Sequence, residues 1–237
     1  MSSENIISQL ANAISSDALI TDFSEREYFS MDVFDIDQVA DLVFQPRSKN
    51  EISIALKILS ETDYQIIPRG GGMSYTGGYT PSTKRSVIVD TSLLNQILEI
   101  NPEDMYITVE AGCTWKSIYQ ALKPMGMRLP FFGTNSGSMA TVGGGLSNGA
   151  LFFGTGKYGS AADNVLGMEV IIADGTLIKT GQNAFANSKP HHRTYGPDMT
   201  GLFCHDAGSL GIKVQATFPL IFWPKSIDYL SFAYKTL

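Results

Sequence analysis

An α+β fold of two small lobes is what this 237-residue sequence predicts, on three observations. Strand–helix units come early, hairpins come late, and two glycine-rich stretches interrupt the regular pattern. Strict alternation of strands and helices would argue a doubly wound parallel sheet; the mixture argues against one. No internal repeat or low-complexity segment is visible.

The elements follow in order. Residues 3–19 read as a helix with Ile6, Ile7, Leu10, Ala13 and Ile14 on one face. Residues 39–45 read as a strand ended by Pro46. Ser48 with Glu51 three residues later forms a capping box, and a helix runs from there to about Glu61. The strand Gln65–Pro68 opens into the first glycine-rich loop. Strands follow at 86–90 and, after a short turn, before residue 101, and Y-I-T-V-E-A at 106–111 alternates as a strand should. Residues 114–123 make an amphipathic helix stopped by Pro124. Residues 127–160 read as poorly regular. A hairpin spans 165–180 with Asp174-Gly175 as its turn, and 209–220 is rich in strand formers.

Composition narrows the function. The chain is 43% hydrophobic, which is ordinary for a globular domain. Its net charge is −6 with no basic run, which argues against a nucleic-acid partner. No stretch of about 20 apolar residues exists to span a membrane. The first ten residues lack the charged and apolar regions of a secretory signal. Cys113 and Cys204, in an acidic chain with three histidines, show no zinc spacing and fit a reducing cytoplasm. No metal site is expected.

Two loops carry the chemistry. P-R-G-G-G-M-S-Y-T-G-G at 68–78 follows an apolar strand. Consecutive glycines permit positive φ and let several N–H groups converge, a concavity that suits phosphate. Ser74 and Thr76 add hydroxyls and Arg69 adds charge. The loop is no Walker A sequence, because no Gly-Lys-Ser/Thr follows. The second loop, F-F-G-T-N-S-G-S-M-A-T-V-G-G-G-L-S-N-G at 131–149, again spaces glycines with Ser, Thr and Asn. Either alone reads equally as a flexible linker. Together they read as two sides of one extended ligand, such as a pyrophosphate on a long organic body. Residues 157–175 and 195–212 add little by spacing alone.

These four segments, in this order, resemble the FAD-binding (PCMH-type) domain of the vanillyl-alcohol oxidase / p-cresol methylhydroxylase superfamily, nearest its glycolate oxidase and D-lactate dehydrogenase branch. The resemblance covers roughly residues 38–222. It implies a two-lobed domain (lobes about 38–100 and 101–222) after a helical lead-in at 1–37, with FAD between the lobes. Pro68, Arg69, Gly70, Gly71, Gly72, Met73, Ser74, Gly77 and Gly78 would form the pyrophosphate loop. Gly137, Ser138, Met139, Thr141, Gly143, Gly144, Ser147, Asn148 and Gly149 would follow the flavin. Asp163, Asn164 and Val165 match the stretch beside the adenosine, and Gly208, Gly211 and Ile212 the last cofactor-contacting segment.

Departures sharpen the expectation. Some relatives attach FAD through a histidine or a cysteine at positions that here hold Met73 and Met139, so the resemblance implies non-covalent FAD. Where relatives read Gly-Ser-Glu-Gly-Thr-Leu-Gly, this chain reads Cys204-His205-Asp206-Ala207-Gly208-Ser209-Leu210-Gly211, with Asp206 standing for the glutamate. Residues 227–237 alternate like the start of a strand, and in relatives the cap (substrate) domain begins here, so 223–237 is expected to be its start. The chain is therefore expected to lack most of that domain, or to receive it from a second polypeptide.

The implied activity is flavin-dependent oxidation of a 2-hydroxy acid such as D-lactate or glycolate, with a cap domain and an electron acceptor as partners. The alternatives are a non-catalytic FAD-binding or assembly subunit, and a flavoprotein acting on an alcohol or sugar substrate. UDP-N-acetylenolpyruvylglucosamine reductase shares the domain type. No side chain is singled out as catalytic. His191, His192, Arg193 and Tyr195 read either as a substrate-facing group or as a solvated connector, and we expect the connector. Cys204, His205 and Asp206 are adjacent and cannot converge on one ion from an extended segment. Cys113 and Trp115 are expected to pack, Trp223 to lie at the surface, and Arg69 reads equally as cofactor contact or ion pair.

Overall fold

The computed structural model describes residues 3–33, 36–194 and 196–234. Helix α1 (Ser3–Ala13) ends six residues earlier than the apolar spacing predicts. Beyond it Ser15 donates to the Asp17 carboxylate, a local polar bond that competes with helical pairing, and a 3-10 turn follows. Strand β1 (Leu19–Ile20) and helix α2 (Phe23–Ser30) come next; Asp22 caps α2 by accepting from the Glu25 N–H at 3.0 Å. Then come β2 (Leu42–Phe44), α3 (Lys49–Ser60), β3 (Gln65–Arg69) and β4 (Ser86–Asp90). Ser48 caps α3 as expected, but the Glu51 carboxylate reaches back to the Arg47 N–H at 2.7 Å, one residue outside the box.

The chain continues through β5 (Ile97–Asn101), β6 (Tyr106–Glu110), α4 (Trp115–Leu122), β7 (Met127–Arg128), α5 (Val142–Asn148), α6 (Thr155–Tyr158) and α7 (Ala161–Asn164). It ends with β8 (Gly167–Ile171), β9 (Leu177–Lys179), α8 (Met199–Leu202), β10 (Ile212–Pro219) and β11 (Ile221–Phe222). Pro124 does not end the path of α4 abruptly, because residues 123–125 continue it as a 3-10 turn closed by Gly126 at φ +67°.

Two main sheets result. The first has the order β1-β2-β4-β3, with β2, β4 and β3 parallel and β1 antiparallel at the edge. Its central strands β2 and β4 are buried on both faces, as parallel strands are, and the edge strands are partly exposed. Leu42, Phe44, Val87 and Val89 face α1 and α3, while Val43 and Ile88 face Phe29 of α2. The second is antiparallel, with the order β5-β6-β10-β8-β9. A register shift between Lys213 and Gln215 splits its contacts. Ile212 and Val214 join the α3 core, whereas Ala216 and Phe218 join the core under α4 and α5.

Helix α3 ties the two sheets together. Glu169 of β8, 2% exposed, receives Lys49 Nζ from the first turn of α3 at 2.6 Å and Lys179 Nζ at 3.1 Å. Ser53 of α3 donates to the Gly175 carbonyl of the β8–β9 turn, where φ is +81°.

The stretch 127–160 holds more structure than its composition predicts. Glycine is a poor helix former, and α5 reads V-G-G-G-L-S-N. Packing requires the glycines: a Cβ at Gly145 would stand 2.5 Å from Trp115, and one at Gly143 3.1 Å from Ala111. Thr141 caps it and Gly149 ends it at φ +69°.

Candidate functional site

The parallel strand β3 delivers the first glycine loop to the mouth between the sheets, and α5 delivers the second. The loops touch backbone to backbone. A Cβ on Gly70 would lie 2.3 Å from Thr141 Oγ1, and one on Gly71 would lie 1.9 Å from the Met139 carbonyl oxygen. Gly71 is therefore a glycine because of close approach. The positive φ values expected of this loop belong to Gly72 and Gly77 instead. A third segment closes the ring: His205 and Ala207 donate N–H groups to the Leu146 and Ser147 carbonyls, and Gly208 packs on Pro68. His205 and Ala207 hold φ near +57° and +50°, strained for residues with a side chain.

Between these segments lies a cleft of about 680 Å³, in the range of small-molecule and cofactor sites. Pro68, Arg69, Gly70, Gly71, Gly72, Met73, Ser74 and Gly78 line one wall. Thr141, Gly143, Gly144, Ser147, Asn148 and Gly149 line another, and Gly208, Gly211 and Ile212 a third. Seven expected site residues stand outside the wall. Gly77 donates to Asp32 at 2.9 Å, and Gly137 packs against Trp115. Ser138 is exposed, and Met139 offers the cleft only its backbone contact with Gly71. Asp163 forms the capping box of α7 with Ser160, Asn164 Nδ2 donates to the Tyr158 and Ser160 carbonyls, and Val165 is core.

Sequence reasoning missed several lining residues: Val33, Tyr75, Tyr79, Phe152 and Lys213. The aromatics carried no motif. Lys213 carried no signal, because nothing in a linear pattern shows Asp206 folding back onto it.

The electrostatics are unusual for a site that suits an anion. Two cationic side chains line the cleft, and each is countered. Arg69 sits in a cage of Phe29, Tyr28 and Tyr79, with ring centroids at 5.0, 5.7 and 5.7 Å, and its Nη1 is 3.8 Å from Asp90. Lys213 Nζ meets Asp206 at 2.7 Å, both 2% exposed. Asp206, which stands where relatives carry a glutamate, turns to Lys213 and to the Gly208 N–H at 2.9 Å and does not line the cleft. Among the described residues the N–H groups of Gly71, Gly72 and Met73 meet no acceptor. Converging backbone donors of that kind form an anion cradle.

Burial raises the Asp90 carboxyl above its ordinary value, against the opposing hydrogen bonds from Ser92 and Gln45 and the nearby Arg69 charge. The folded form then holds that proton more tightly than the unfolded chain. The contribution is present at acid pH and fades as pH rises from the ordinary carboxyl value through the raised one. We expect the stability margin of the wild type over Asp90→Asn to be largest at acid pH and to shrink toward neutrality, as measured by urea unfolding at several pH values. A margin independent of pH would contradict this.

The polar loop near residue 193 lies away from the cleft. Arg193 forms a fork with Asp198 at 2.8–3.2 Å, and Asp198 raises its pKa; His191 packs edge-on to Tyr106. None of these lines the cleft. Tyr195 lies outside the described residues. Cys113 is core, its thiol pushed up to about 12 by burial. No helix of the described residues is long and apolar enough to cross a membrane.

Comparison with known proteins bears on this geometry. A family model described as an FAD binding domain matches residues 40–181. The glycolate oxidase subunit GlcD of Bacillus subtilis is 33% identical over 83% of this chain and 40% of its own length. The mitochondrial D-lactate dehydrogenase [cytochrome] of Kluyveromyces lactis is 30% identical over 80% of this chain and 32% of its own. The chain thus spans about a third to two fifths of the length of these curated relatives. Among solved structures, the 4-ethylphenol oxidase of Gulosibacter chungangensis superposes with a TM-score of 0.80 at 24% identity, over 94% of this chain and 43% of that one. A p-cresol methylhydroxylase superposes at 0.78 and 21% identity, over 94% and 44%. These two likenesses show the fold.

Proposed function

This chain belongs to the FAD binding domain family, and from that premise we propose that it holds FAD non-covalently in the cleft and forms the flavin-carrying part of an oxidoreductase that oxidises a 2-hydroxy acid such as D-lactate or glycolate. The observation that carries the reading is the convergence of three glycine-bearing segments on one cleft whose free donors are the backbone N–H groups of Gly71, Gly72 and Met73. With Arg69 and Lys213 both countered by carboxylates, backbone dipoles hold the pyrophosphate. Thr141, Ser147 and Asn148 supply hydroxyl and amide contacts along the body of the cofactor. Tyr28 and Phe29 of the lead-in keep Arg69 in place beneath the first loop.

When bound, FAD supplies the hydride-accepting chemistry. The chain's part is to bind it, orient it and exclude water from its phosphate end. Met73 lines the cleft but has no N–H or S–H proton to give up in forming a neutral flavin link, which supports non-covalent attachment. The substrate class rests on the names of the relatives, a glycolate oxidase subunit and D-lactate dehydrogenases. The rest of such an enzyme, its cap domain included, has its counterpart in the part of those relatives that this chain does not span.

One experiment tests the reading. Purified protein, given FAD and then acid-precipitated, is expected to leave a yellow supernatant. Protein that takes up no FAD would overturn the cofactor reading, and a yellow pellet would overturn non-covalent attachment. Anaerobic addition of D-lactate or glycolate, with and without a relative's cap domain, then separates a flavin half-enzyme from a mere FAD-holding subunit. Bleaching of the flavin supports the first; flavin that stays oxidised in both cases supports the second.

A further inference from the structure

We infer that Lys213 is a ligand-contacting residue of the cleft, donating from its buried ammonium to an uncharged acceptor, a purine nitrogen or a sugar oxygen, of the bound nucleotide cofactor. The inference rests on the FAD reading above and goes beyond it by giving a role to a residue outside the glycine loops.

The first ground is donor accounting. Lys213 opens strand β10 beside Ile212, its side chain is 2% exposed, and it lines the cleft. An ammonium carries three donors. Among the described residues one is used, on Asp206 at 2.7 Å. The carboxylate is better satisfied than the ammonium: Asp206 also accepts from the Gly208 N–H at 2.9 Å and the Leu210 N–H at 3.4 Å. A buried donor without an acceptor is costly, more so when it is charged. A ligand in the cleft can supply the missing acceptors.

The second ground is the sign of the field. Asp206 cancels the Lys213 charge at contact distance, so the pair acts toward the cleft as a dipole and offers an anion little net attraction. The phosphate-suited donors are elsewhere, on Gly71, Gly72 and Met73. An uncharged acceptor is what the pair can serve. Burial pulls the Lys213 pKa down, and Asp206 opposes the shift.

The test is the double variant Asp206→Asn/Lys213→Met. It removes both charges together, so no buried ion is stranded, and the asparagine oxygen still accepts from the Gly208 N–H, the shorter of the two backbone bonds. We expect a folded protein with a thermal midpoint close to wild type and FAD affinity reduced by roughly 10- to 100-fold, the size of a hydrogen bond from a charged donor. Affinity is read by flavin fluorescence, with ADP and FMN as competitors. ADP and FMN share phosphate but carry different uncharged halves, so the loss should fall on one of them. Equal loss in both would place the donor on phosphate and overturn the inference. A folded double variant that binds FAD as the wild type does would overturn it too. Wild-type protein that binds no FAD would instead overturn the cofactor reading, and this inference with it.

Discussion

Gly71→Ala is expected to abolish FAD retention, with at least about a 100-fold loss of affinity, from a single added methyl group. The Cβ would stand 1.9 Å from the Met139 carbonyl oxygen and 2.7 Å from its carbon. Both are backbone atoms, so no rotamer change relieves the clash. The first loop must lift away from the second, and the N–H groups of Gly71, Gly72 and Met73 lose the convergence that the cradle needs. Flavin content after purification with FAD and an equilibrium titration check this. The control is Gly156→Ala, where the added atom meets nothing within 4 Å. It should keep both flavin and stability. A folded Gly71→Ala protein with unchanged flavin content would sink the assignment of this loop.

Trp115→Ala is expected to destabilise the protein by about 3–5 kcal/mol, the cost of removing a buried aromatic from a packed core. Trp115 is 4% exposed and packs edge-on to Phe131 at 5.2 Å and Phe218 at 6.0 Å. Its ring also occupies the space that a Cβ would need at Gly133 and Gly145. The indole thus wedges the second loop and α5 against β10. Its Nε1–H is buried without a partner, so Trp115→Phe removes an unpaired donor along with the volume and should cost less than half as much. Urea unfolding of the three proteins decides this. Equal losses in both variants would mean that the ring volume at Trp115 is not what holds the loop.

Much of this architecture is legible in the sequence because its signals are local. Ser48 before an apolar 3.6-residue period writes α3, alternation writes β6, and Asp174-Gly175 writes the β8–β9 turn. The glycine loops were legible only as a pair, since each alone reads equally as a linker and two of them beside predicted strands suit one extended ligand. Helix α5 was not, because its three glycines argue against a helix, and only the close approach of Trp115 and Ala111 explains why glycines stand there. The length of α1 was misread because the spacing of Ala13 and Ile14 continues past the point where Ser15 and Asp17 bond to each other.

The sequence by itself determined the fold class, the family resemblance and the two loops that meet, since each is written in short-range pattern and composition. Tertiary structure alone decided three things. It brought α2 onto Arg69, so that the lead-in shields the first loop with Tyr28 and Phe29. It showed that Gly71 is constrained by contact with Met139 and not by its φ. It also turned Asp206 onto Lys213, which makes one lysine in a strand pattern into a buried cleft residue. All three depend on which distant residues come within a few ångströms, and burial of a charge depends on its partner in space more than on its neighbours in the chain.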